Sequence, residues 1–154
     1  MRKVFALLIL MCSPVFAAEL PETLGEWHSV SKYIQPLTTT YNGESHGTVT
    51  YMTYTRESPS ATLDVILTEG TGTGSLYVPE KVNTDRGMMP NDSGFEVLKV
   101  GGHEAILESH AFMPLALTVK AGDNIILTLE SPSARRDELV RTAEVILSSW
   151  NVTE

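Results

Sequence analysis

Soft-metal binding is the most specific chemistry that the residue types of this chain allow. Met88, Met89, His110 and Met113 all fall in polar stretches between apolar runs. Thioethers with imidazole select Cu(I), and an oxidising compartment favours Met over Cys as the soft donor. His110 and Met113 are close enough in sequence to share such a site. Met88 and Met89 are remote from Met113, and methionine is also an ordinary filler of apolar gaps. The same residues support a broader reading. Met88-Met89-Pro90 and Phe112-Met113-Pro114 are apolar steps inside polar connections. Loops are usually exposed, and exposed apolar groups rimmed by polar ones mark contact sites. Met88, Met89, Phe112 and Met113 are therefore the candidate binding residues, for a partner protein or an apolar ligand. The competing reading is that these side chains fold back and cap the end of a sheet.

Other chemistries find less support. Nucleophilic catalysis needs a serine or cysteine beside an oriented base, and no serine lies in a Gly-x-Ser-x-Gly elbow. His28, His46, His103 and His110 cannot be matched to a serine by spacing. His103-Glu104 and Glu108-Ser109-His110 lack the helical His-Glu-x-x-His frame of a zinc protease, and no Asp/Asn ladder forms a calcium loop. Glu69-Gly70-Thr71-Gly72-Thr73-Gly74-Ser75 looks superficially like a phosphate cradle. Ser75 stands where a dinucleotide fingerprint needs its third glycine, no helical pattern follows, and no P-loop lysine is present. A hairpin or bulge is the expected role. No pattern calls for a cofactor, and the chain reads as a binding protein rather than an enzyme.

The address is plainer than the activity. Met1-Arg2-Lys3, the apolar run Val4–Met11 and Val15-Phe16-Ala17 form a basic, apolar and small-residue series, the pattern of a secretory signal peptide. Cleavage after Ala17 is expected, leaving a single domain over residues 18–154 in the periplasm or secreted. The only cysteine, Cys12, lies inside the leader. Lipidation there wants a small residue in front of the cysteine, and Met11 stands in that place, so a soluble product is expected. Loss of Arg2 and Lys3 leaves nine basic residues against 19 acidic ones, a net charge of −10. Such a surface repels nucleic acid and anionic lipid. No second apolar stretch reaches transmembrane length.

The elements that must position these residues follow from hydrophobic periodicity. Ala18–Gly25 is a short arm, and Glu26–Ile34 reads as a first strand anchored by Trp27. Pro36–His46 is polar and turn-rich. Val49–Tyr54 is aromatic and β-branched, and Leu63, Val65 and Leu67 alternate with polar neighbours, as strands do. Leu76-Tyr77-Val78 is a short strand or helical turn, and Pro79–Ser93 is a long polar connection. Phe95–Val100, Ala105–Leu107, Leu115–Val119 and Ile125–Leu129 complete the strands, with tight turns at Gly101-Gly102 and Ala121–Asn124. The period then changes. Leu139, Val140, Ala143, Ile146, Leu147 and Trp150 make one helical stripe, with Ser131 or Ser133 as cap, Pro132 in the first turn, and Asp137 and Glu138 favouring the dipole. Strands in series before one helix predict an α+β fold, an antiparallel β-sheet with a C-terminal α-helix packed on one face.

Two stretches carry a resemblance. Leu20-Pro21-Glu22 to Gly25-Glu26-Trp27 resembles the opening of uncharacterised bacterial secreted domains. Gly101-Gly102-His103-Glu104-Ala105, the hairpin ending in Leu129, and Asp137-Glu138-Leu139 to Ala143-Glu144 resemble the closing half of PsbP-like α+β domains. The resemblance implies a curved antiparallel sheet bearing a helix and an accessory or binding role. Its motifs are structural and carry over no functional residue. The expectation is thus a secreted, non-enzymatic binding or accessory protein acting on an envelope protein or an apolar ligand. An extracytoplasmic enzyme or enzyme accessory is the alternative, and a Met/His copper protein a more distant one.

Overall fold

A computed structural model describes residues 18–38, 43, 45–77, 94–110 and 112–150. Its strands are β1 (Thr23–Leu24), β2 (Trp27–Thr38), β3 (Ser45–Glu57), β4 (Ser60–Gly70), β5 (Gly94–Val100), β6 (His103–Ser109), β7 (Leu115–Gly122) and β8 (Ile125–Ser131). A 3-10 turn spans Thr73–Leu76, and the helix α1 spans Arg136–Trp150. The strands form one sheet in the order β1-β2-β3-β4-β8-β7-β6-β5, antiparallel at every pairing described. The described fold is therefore mostly β, with the single C-terminal helix that the change of period predicts.

Period-two alternation decides which face is covered. Met52 and Tyr54 of β3 stand opposite Val65 and Leu63 of β4, and Val65 and Leu67 opposite Leu129 and Leu127 of β8. Leu117 and Val119 of β7, then Ala105 and Leu107 of β6, continue this face, and all are buried. Leu139, Ala143, Ile146 and Leu147 of α1 pack on it. The helix lies against β7 and β8 and also reaches β1 and β5, the two edge strands. A sheet whose opposite edges both touch one helix curls around it.

The other face is mixed. Tyr33 and Tyr51 lie with ring centroids 6.3 Å apart, Gln35 donates to the Tyr51 hydroxyl at 3.3 Å, and Thr53 donates to Asp64 at 2.7 Å.

Side chains tie the helix to the sheet and the N-terminal arm. Arg136 pairs with Glu96 of β5, which holds that carboxyl below its usual range, chiefly by hydrogen bonding. Arg56 of β3 pairs with Glu138. At the far end, Trp150 donates its indole N–H to the Glu19 carbonyl at 2.8 Å.

Two expectations need correction. The expected first strand is β2, which starts at Trp27 and does not end at Ile34 but runs through Pro36 to Thr38, and Thr23–Leu24 of the expected arm pairs with it as β1. Pro36 is tolerated there because of edge geometry. Ser29 N–H points outward to the Glu22 carbonyl, and the pairing register shifts by one between Ser29 and Ser31. Beyond that bulge the outward positions are Lys32, Ile34 and Pro36, so the missing N–H of Pro36 faces away from β3. Second, neither Ser131 nor Ser133 caps the helix, and Pro132 precedes its first turn. Ser131 ends β8. Its hydroxyl donates to the Thr62 carbonyl at 2.6 Å and accepts from the N–H groups of Ser133 and Ala134. The helix starts later, with Arg135 accepting from the N–H groups of Glu138 and Leu139. For Leu76-Tyr77-Val78, expected as a short strand or a helical turn, the helical alternative holds at Leu76, which ends the 3-10 turn; Val78 lies outside the described residues.

Candidate functional site

The β6–β7 connection, residues 110–114, is the most exposed apolar feature among the described residues. Its turn is closed by Met113 N–H donating to the His110 carbonyl at 3.4 Å. Pro114 follows; it biases Met113 toward an extended backbone and brings no N–H to the ladder. The turn therefore holds its apolar side chains outward. Phe112 is 98% exposed and Met113 67% exposed. Neither caps the sheet end.

His110 stands at the base of this tip, half-buried. Its ring meets Phe95 of β5 edge-on, centroids 5.6 Å apart and planes at 80°, and its Nε2 lies 3.9 Å from a Glu108 carboxylate oxygen. One turn thus brings together His110 and Met113, the two residues singled out for metal. Among the described residues no three His, Cys, Asp or Glu side chains gather into a group that could hold a metal ion.

Met88 and Met89, the other candidate binding residues, lie outside the described residues. The connection that carries them enters β5 at Gly94, which pairs with Ser109. That is the end of β6 from which the Phe112 tip starts.

The glycine-rich segment is not an anion cradle, because its N–H groups are already engaged. Gly70 donates to the Asn124 carbonyl at 2.9 Å and Thr71 to the His46 carbonyl at 3.0 Å. Gly72 donates to the Asn124 side-chain oxygen at 3.0 Å, and Gly74 to the Asp123 carbonyl at 2.9 Å. The segment clasps the β7–β8 turn, and at Gly74 a Cβ would come within 2.5 Å of the Asp123 carbonyl oxygen. Its glycines serve close backbone approach.

A second surface feature lay beyond sequence reasoning. Two adjoining open grooves, about 340 and 520 Å³, meet over Arg56. The Arg56 guanidinium carbon sits 4.5 Å above the centre of the Trp27 ring, and its Nε donates to the Pro59 carbonyl at 3.0 Å. With Glu138 as its ion-pair partner, Arg56 is engaged in holding β2, the β3–β4 turn and the helix together. Glu26, His28, Glu57 and Ser58 line the larger groove, and Arg141 and Val145 the smaller. These walls are apolar and polar in similar measure and carry both signs of charge, with their one arginine stack used for architecture. The contributors span Leu24 to Val145, so no local pattern could have announced the groove. Trp27 alone carried a signal, as a strand anchor.

Among the described residues no helix is long and apolar enough to cross a membrane. No protein-family model, curated protein or solved structure matches this chain.

Proposed function

We propose that this protein is a non-enzymatic binding or accessory module of the periplasm or extracellular space. It engages an envelope protein or an apolar ligand through the tip of the β6–β7 connection. The observation that carries this reading is the exposure of Phe112 and Met113 together on a turn between two paired strands. An aromatic ring and a thioether held in water by a proline-braced turn contribute little to the fold and offer ready apolar area to a partner. The grooves over Arg56 are open, and their central arginine is engaged by Glu138 and Trp27, which supports binding elsewhere rather than chemistry there. The PsbP-like resemblance of the closing half points the same way, since such domains mostly act as accessory or binding modules. Met88 and Met89 lie outside the described residues and stay in the proposal through sequence alone, as apolar steps in the connection that leads to Gly94, the partner of Ser109.

Site-specific photocrosslinking in intact cells tests the proposal. A photoreactive residue at position 112 should give a discrete adduct, of protein or small-molecule mass. The same residue at Val145, half-exposed on the helix, should give none. Absence of any adduct at 112, or equal adducts at both positions, contradicts the assignment.

A further inference from the structure

The backbone nitrogen of Ala18 donates a hydrogen bond to a Glu69 carboxylate oxygen at 2.9 Å, across 51 positions of sequence. Ala18 is the residue that the expected cleavage would make the first of the mature chain. We propose that processing completes this contact as an ion pair: the new α-ammonium of Ala18 locks onto Glu69 and fastens the N-terminal arm over the core. The inference rests on the signal-peptide reading for the position of the cut, and on the geometry for its consequence. Hydrolysis of the Ala17–Ala18 bond consumes one water. Its oxygen goes to the Ala17 carbonyl carbon as carboxylate, and the released nitrogen, keeping its own hydrogen, takes up both protons of the water as ammonium. A neutral amide donor thereby becomes a cationic one at an unchanged place in the chain. The carboxylate already makes the amide contact charge-assisted, and the cation adds direct Coulomb attraction to it.

The surroundings suit that change. Glu69 and Ala18 are both half-buried, so the pair is less screened than one in open solvent. Trp150, the last residue of α1, holds the neighbouring Glu19 carbonyl, so the ammonium would lie beside the negative end of the helix dipole. The arm it would fasten is part of the core. Leu20 and Leu24 are buried, and the Pro21 carbonyl accepts from the buried Tyr54 hydroxyl at 2.7 Å. Export through the general secretory route needs an unfolded chain. A contact that reaches full strength only after cleavage would leave the precursor looser than the product.

A four-way comparison tests this. The exported protein is purified as it stands and with Gly-Ser inserted between Ala17 and Ala18, each with Glu69 and with Glu69→Gln. Intact mass first fixes the start of each product. In the chain beginning at Ala18, Glu69→Gln should lower Tm by about 4 °C, as expected for losing about one charge-assisted contact in a domain of this size. In the Gly-Ser chain, where Ala18 N is an amide, the same substitution should cost less than half of that. Equal losses in both backgrounds overturn the ion pair. A wild-type mass that starts at another residue overturns the link to processing and the cleavage reading with it. An Ala18 chain made by cutting a fusion immediately before Ala18 still tests the pair alone. If Glu69→Gln does not fold, acetylation of the α-amine on the wild-type product gives the same comparison, with a lowered Tm expected and an unchanged one contradicting the pair.

Discussion

Burial at single residues sets what each polar group contributes. Among the described residues the Tyr77 hydroxyl is buried without a hydrogen-bond partner, and burial first, then the Glu104 charge, pushes its pKa up. An unsatisfied buried donor costs about 1–3 kcal/mol, so Tyr77→Phe should leave stability unchanged or raise it by about 1 kcal/mol, read from denaturant midpoints. A clear loss would show that the hydroxyl has a partner. Tyr54 is the opposite case: buried, but bonded to Pro21 and to the Met52 sulfur at 3.2 Å. Desolvation, with a smaller push from Glu22, raises its pKa from 10.0 to about 12. Its neutral form is favoured in the folded state. Its contribution is therefore constant below pH 10 and falls as pH rises from 10 to 12, where the unfolded chain gives up its proton first. Denaturant midpoints across that window should decline more steeply for the wild type than for Tyr54→Phe. Parallel declines would place the base sensitivity elsewhere.

Secondary-structure elements were legible where burial is one-sided. Leu63, Val65 and Leu67 alternate because one face of β4 is covered, and the Leu139–Leu147 stripe is read because one side of α1 is covered. Strand lengths were hidden, because pairing and not composition extends β2 past Pro36 and β3 back to Ser45. The cap was misread because Ser131 answers to β4, through Thr62, before it can serve the helix. At the site, the apolar step Phe112-Met113 was visible as a breach of loop polarity. The groove at Arg56 was not, since three distant segments build it. The edge geometry of β2 makes a separate prediction. Ile34 N–H faces outward and Gln35 N–H faces β3, by the register that places Pro36 outward. Ile34→Pro should therefore cost less than about 1 kcal/mol, whereas Gln35→Pro, which deletes a ladder bond, should cost about 3 kcal/mol. Thermal melts of the two variants decide it, and equal losses would mean that the outward set is wrongly assigned.

At the scale of the molecule, a curved sheet closes on one helix and uses nearly every periodic apolar residue in doing so. The N-terminal arm is drawn into that core, and acidic charge dominates the surface. Val30, Tyr33, Ile34, Leu76 and Val97 are also exposed, but the tip beyond His110 carries the most exposed apolar side chain among the described residues, Phe112, with Met113 beside it, so folding and contact residues separate there. The double substitution Phe112→Ser with Met113→Ser measures it most directly, with Tm and capture of the crosslinked partner or ligand recorded on the same protein. Tm should stay within about 1 °C of the wild type, because such exposed side chains add little to stability, and capture should fall at least about tenfold, because central apolar anchors dominate contact energy. A fall in Tm of several degrees would assign these side chains to the core, and an unchanged Tm with undiminished capture would put the contact surface elsewhere.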